Sequence, residues 1–121
     1  MTSSRPYLIR AMYQWIVDNG MTPYLLVDCS SAAVRVPKQF EENGRIVLNI
    51  GPMAVSGLTL GNDEVSFSAR FDGRAMNVLV PVPHIMAIYT RENGQGMMFG
   101  DEEQPPPEPE SRSRPQLKVV K

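Results

Sequence analysis

The first regular pattern along the chain is a stripe of apolar side chains at helical spacing. Tyr7, Leu8, Ala11, Met12, Trp15 and Ile16 recur every three or four residues, and Ile9, Tyr13 and Val17 follow the same period on a neighbouring face. Residues 5–19 are therefore predicted to form an amphipathic helix. Ser4 is placed to cap it, Pro6 suits its first turn, and Gly20 suits the position just past its end. The apolar arc is wider than one contact with a small core requires. Either the helix is covered by its own domain, or it buries one flank there and the other against a second copy of the chain.

Beyond Gly20 the helical period gives way to alternation. Strands are predicted over residues 24–29, 34–37, 45–50, 64–71, 76–80 and 84–89. The fourth is the clearest: Val65, Phe67, Ala69 and Phe71 alternate with Ser66, Ser68 and Arg70, a period of two with one buried face. Turn signals separate the runs, at Asn43-Gly44, Gly57, Gly61-Asn62-Asp63, Asp72-Gly73 and Pro81. One N-terminal helix followed by short strands and tight turns predicts a mainly β fold. The expected form is a small antiparallel barrel-like or two-sheet domain, of the Sm or SH3-like kind.

At Gly100 the composition breaks. Residues 100–111 hold five acids and no base, stiffened by Pro105, Pro106, Pro107 and Pro109. Such a segment cannot offset the entropy of ordering and is expected to be a disordered linker. The final residues, 112–121, hold four bases and no acid around a Leu-x-Val-Val cluster. The organisation expected is a folded domain over residues 1–99, an acidic proline-rich linker over 100–113, and a terminal motif over 114–121.

Composition narrows the classes of function. The 121 residues suffice for one domain, and 42% hydrophobic with 21% charged is ordinary for a globular protein. The formal net charge is −1, and residues 1–99 carry eight bases against eight acids, so no basic surface for nucleic acid or an anionic membrane is expected. Cys29 is the single cysteine, the N-terminal stretch lacks an apolar signal region, and no run approaches the ~18 apolar residues of a membrane span. A reducing cytoplasm is the expected location.

The parts needed for catalysis are scarce. His84 is the one histidine and lies beside strand residues; Cys29 sits in an apolar strand, where it reads as a small buried hydrophobe. No pair of ligands has zinc spacing, Gly94-Gln95-Gly96 reads as a turn rather than a dinucleotide loop, and Asp63-Glu64 as a solvated acidic turn. No enzyme, metal or cofactor is expected. Binding remains. A small β domain can hold an extended peptide in a groove or along a sheet edge, through backbone hydrogen bonds and pockets for alternate side chains. In the run 66–71, Ser68 and Ala69 permit close approach of a ligand backbone, Arg70 can pair with a carboxylate, and Phe67 and Phe71 can line apolar pockets or the core. An ordinary strand with a solvated arginine fits the same residues.

Several segments, taken in order, resemble one family. RPYLIRAMYQWIVDN, TPYLLVD, IVLNI with PMAV, NDEVSFSARF, AIYTRENGQGMMF and the closing RPQLKVVK are together similar to SspB, the stringent starvation protein B family of bacterial adaptors for the ClpXP protease. The resemblance runs from Arg5 to Lys121, with the acidic linker and residues 72–77 matched loosely. It implies a small barrel-like domain that dimerises through its N-terminal helix, with Tyr7, Leu8, Ala11, Met12 and Trp15 as the candidate seam. It implies a ligand, the N-terminal part of the ssrA degradation tag, an Ala-Asn-Asp-Glu-Asn-Tyr-like segment added to polypeptides on stalled ribosomes. The residues it assigns to tag binding are Ala54 and the run Phe67, Ser68, Ala69, Arg70 and Phe71, with Phe40, Val55, Met98 and Phe99 as candidates for a tyrosine pocket. It implies finally that Arg114, Pro115, Leu117, Lys118, Val119, Val120 and Lys121 dock on the N-terminal zinc-binding domain of ClpX. The activity implied is tethering, with no bond made or broken. A different class, a small β-barrel that binds RNA, would need a basic face with exposed aromatics, which the charge balance disfavours.

Overall fold

The structure, a computed structural model, describes residues 3–100. Its helix α1 spans Arg5–Asp18. Ser4 does not cap it through its side chain. Ser4 is already in helical conformation, its carbonyl accepts the Leu8 amide at 3.0 Å, and the hydroxyl that meets an exposed amide is that of Ser3, accepting from Arg5 at 3.1 Å. At the other end Gly20, with φ of +72°, donates to the Val17 carbonyl while Met21 donates to that of Ile16, so the last carbonyls are satisfied by a left-handed glycine turn.

Seven strands follow: β1 Pro23–Asp28, β2 Arg45–Asn49, β3 Val55–Leu60, β4 Glu64–Phe71, β5 Arg74–Pro81, β6 Ile85–Thr90 and β7 Gly96–Met98. They form two antiparallel sheets, one in the order β2-β1-β6-β7 and the other β3-β4-β5. The expected mainly β, barrel-like architecture is the one observed. The predicted strand at 34–37 is not a strand: Val34 and Val36 turn inward, but only Arg35 is paired, as an isolated bridge to Leu79. Pro37 has no amide to extend that pairing, and a short 3₁₀ turn, Lys38–Phe40, takes over. Two strands were not anticipated, β3 and β7.

Alternation puts the core between the sheets. Leu25, Val27, Ile46 and Leu48 face inward from the first sheet, and Val65, Phe67, Val78 and Val80 from the second. Ile9 and Ile16 of α1 close the interior, together with Val34, Ile50 and Val82 from the connections. Cys29 is buried just past β1, and burial, reinforced by the Glu41 carboxylate, pushes its thiol up to about 11. It is therefore a neutral packing group near pH 7.

Two polar fixtures hold the connections. Arg5 is buried, and its guanidinium donates to the carbonyls of Pro83 and Ile85 at 3.1 Å each and of Gly100 at 2.6 Å, while lying over the Phe99 ring at 5.2 Å. It fastens the start of α1 to the β5–β6 connection and to the end of the domain, and these bonds help offset the burial of its charge. At the opposite end of α1, the Glu92 carboxylate accepts from the Thr22 amide at 2.9 Å and hydroxyl at 2.8 Å. Those two bonds hold the Glu92 carboxyl below its usual 4.5. A carboxylate depressed by folding stabilises the fold above its unfolded value, and the contribution is lost as the pH falls through the lower folded value. Glu92→Gln is thus expected to destabilise the protein at pH 7, and the difference to shrink as the pH falls below 4.5 and through the lower folded value, as read from urea midpoints of the two proteins across that range.

Candidate functional site

The second sheet has one face on the core and one open. On β4 the outward series is Ser66, Ser68 and Arg70, on β5 Ala75, Asn77 and Leu79, and on β3 Ser56 and Thr59, brought level by the register Ser68 to Ser56 and Asn77, and Arg70 to Ala75. Because all of these side chains but Leu79 are small or polar, the face is hollowed rather than filled. One open hollow of about 470 Å³ is lined by Met53, Ala54, Val55, Ser56, Ser68, Ala69, Arg70 and Ala75. Met53, fully exposed, stands at its rim.

Local structure fixes this geometry. Asp72 and Gly73 have φ of +52° and +80°, so β4 and β5 are joined by a two-residue turn with both central residues left-handed, the kind that matches strand twist. Arg70 lies at the turn end of β4, and its Nη1 donates to the Gly73 carbonyl at 3.1 Å. This contact is exposed, and Arg70 is among the residues lining the hollow, so an anionic group there can engage its guanidinium. On β3 the register shifts between Ser56 and Thr59, around Gly57 with φ of +65°. The bulge bends the edge strand and leaves its outer side open.

The other sequence-derived candidates lie elsewhere. Phe40 and Phe71 pack on each other, ring centroids 5.6 Å apart, with Phe40 partly exposed. Phe67 points inward and belongs to the core. Phe99 is also in the core, beneath Arg5, with its amide bonded to the Met86 carbonyl at 2.7 Å. Met98 is on β7, the outer strand of the first sheet, and is 77% exposed. The hollow thus gathers Ala54, Val55, Ser68, Ala69 and Arg70, and adds Ser56 and Ala75, which the sequence reading missed. Both sit on the outward face, Ser56 opposite Ser68 and Ala75 opposite Arg70.

A second surface is the outer side of α1. Tyr7, Leu8 and Trp15 are 51%, 36% and 47% exposed, Ala11 is exposed and Met12 half-buried, so the five form one apolar stripe beside the buried Ile9 and Ile16. Among the described residues no group of three or more histidine, cysteine, aspartate or glutamate side chains could hold a metal, and no helix is long and apolar enough to cross a membrane. The linker and terminal residues 101–121, including Arg114, Pro115, Leu117, Lys118, Val119, Val120 and Lys121, lie outside the described residues.

Comparison with known proteins decides the family. The pattern described as "Stringent starvation protein B" matches residues 3–121, nearly the whole chain. The chain belongs to the stringent starvation protein B family. Among its relatives is the stringent starvation protein B homolog of Haemophilus influenzae, 48% identical over 99 residues, a match covering 82% of this chain and 66% of that protein. The chain therefore matches just under two thirds of that relative's length. The family pattern of stringent starvation protein B takes in the terminal motif as well as the domain, so the Leu-x-Val-Val end falls within a matched region.

Proposed function

We propose that this protein is a non-enzymatic adaptor that binds ssrA-tagged polypeptides and tethers them to ClpX, raising their degradation by ClpXP. The observation that carries the reading is the open hollow on the second sheet, in a chain of the stringent starvation protein B family. Its walls are small at Ala54, Ser56, Ser68, Ala69 and Ala75, so a ligand backbone can come close, and its one formal charge is Arg70. An extended tag with two carboxylates and several small residues complements that lining. The apolar stripe of Tyr7, Leu8, Ala11, Met12 and Trp15 supports a homodimer through α1. The terminal residues Leu117, Val119 and Val120 would be the apolar anchors on the ClpX N-terminal domain, with Arg114, Lys118 and Lys121 adding charge. Such a protein works in the cytoplasm and needs no cofactor.

Fluorescence polarisation of a labelled tag peptide against a scrambled control tests the reading. The tag is expected to bind saturably and the scrambled peptide weakly. Arg70→Gln is expected to weaken tag binding about tenfold, in line with the loss of a charge-assisted hydrogen bond, without altering the urea midpoint. Unchanged affinity would remove Arg70 from the site, and no binding of either peptide would remove the tag as the ligand.

A further inference from the structure

A second hollow, of about 370 Å³, adjoins the first on the same sheet face. Its lining includes Arg35, Gly57, Ser66, Ser68, Asn77 and Leu79, and Ser68 is shared with the hollow around Arg70. We propose that this second hollow is a carboxylate subsite, in which Arg35 takes an acidic side chain of the same extended peptide that engages Arg70. The inference rests on the peptide-binding reading above and adds a position to it.

Four observations carry it. First, Arg35 is held in place from its backbone: its amide donates to the Leu79 carbonyl at 2.8 Å and its carbonyl accepts from Leu79 at 3.0 Å, so the β5 edge fixes where the side chain starts. Second, the guanidinium itself is exposed and forms no ion pair with any described residue, in contrast to Arg91 and Lys38, which pair with Glu92 and Glu41. Third, the hollow is open, and its lining sets polar groups among the apolar Phe67, Val78 and Leu79. Gly57 contributes no side chain, with no atom near the position its Cβ would occupy, and Ser66 and Asn77 offer donors beside the cation. A carboxylate seated there has both charge and hydrogen-bond partners.

The fourth is spacing. One hollow is centred between Ser66 and Ser68 along β4 and the other between Ser68 and Arg70, so the two are displaced by two strand residues, about 7 Å. That is the repeat of side chains on one side of any extended peptide. A ligand lying across the open face along the direction of β4 therefore presents residue i to one hollow and residue i+2 to the other, with the intervening side chain pointing away. An adaptor reading only the hollow at Arg70 would accept many short sequences, and a second charged subsite at a fixed offset narrows the choice.

The test uses labelled tag peptides in which each position in turn carries Asp or its neutral isostere Asn, titrated with wild-type protein, Arg35→Gln and Arg70→Gln. Wild type is expected to prefer Asp at two positions two residues apart, the one facing Arg35 by about three- to fivefold, the size of a solvent-exposed ion pair. Arg35→Gln should abolish that preference and leave intact the one that depends on Arg70, two residues away. Arg35 is exposed, so the variant should keep the wild-type urea midpoint. Every Asp-over-Asn preference surviving Arg35→Gln, with wild type still binding the tag, overturns the subsite alone. Wild type binding no peptide of the panel overturns the peptide reading and the subsite with it, and a labelled RNA that binds and is weakened by Arg35→Gln would do so in favour of nucleic acid.

Discussion

Gly96→Ala is expected to destabilise the fold by about 3 kcal/mol or more, the upper end of what inserting a methyl into a packed site costs. A Cβ at this position would lie 2.5 Å from the Tyr89 Cα and 2.7 Å from its Cβ, and closer still to the Ile88 carbonyl oxygen. Neither neighbour can retreat cheaply. Tyr89 and Ile88 belong to β6, an inner strand of the first sheet, bound on its far side to β1, and the Tyr89 ring packs edge-on against Tyr24 at 5.8 Å. The strain would fall on the β6–β7 hairpin, which leads directly to Phe99 and to the Gly100 carbonyl held by Arg5. Gly94→Ala in the same loop is the control. Its φ is +74° but the space around it is open, so it should cost only about 1 kcal/mol. Urea unfolding of the two variants should place Gly96→Ala well below Gly94→Ala, and equal midpoints would mean that β7 yields.

The helix and four of the seven strands, β1, β2, β4 and β6, were legible nearly to their ends, and β5 was found but read short. Each carries a period that only one element type satisfies. β3 was missed because Gly57 reads as a break, whereas in the fold it is a left-handed residue inside a bulged edge strand. β7 was missed because three residues are too few to display a period, and its glycine looked like part of a turn. The run 34–37 shows the opposite failure. Its alternation of Val34, Arg35 and Val36 is real and buries the two valines, yet a ladder needs amides, and Pro37 ends the supply. The site divides in the same way. Ser68 and Arg70 were readable because the clean period of β4 puts them on the face opposite Val65 and Phe67. That period left Phe67 between pocket and core, and the structure places it in the core. Met98 and Phe99 could not be sorted without β7. Arg35 gave no local signal, since its position depends on a pairing with Leu79, forty-four residues later in the chain.

Removing residues 117–121 is expected to abolish delivery of tagged substrate to ClpXP while leaving tag affinity within about twofold of wild type. The two halves of this expectation have different grounds. Every residue lining the hollow lies between Met53 and Ala75, and the domain's last described contacts, at Phe99 and Gly100, are made seventeen or more residues before the cut. Truncation therefore removes nothing that shapes the groove. Delivery, on the adaptor reading proposed above, depends on the tether. Residues 100–113 separate the domain from the terminal motif, and any coil of that length would span roughly 20 Å, or about 50 Å at full stretch. A tail bound at its far end then holds the tag near the unfoldase at an effective concentration that reaches about the millimolar range for short linkers. Without its apolar anchors that advantage falls to zero rather than by degrees, since the substrate must find the unfoldase from bulk solution. Degradation of a tagged reporter by purified ClpXP, at a substrate concentration well below its KM, separates the cases. Truncated protein should hold substrate without speeding its loss, and should slow degradation when present in excess. Undiminished delivery would place the ClpX contact in the folded domain, and loss of tag binding together with delivery would make the last five residues part of the groove.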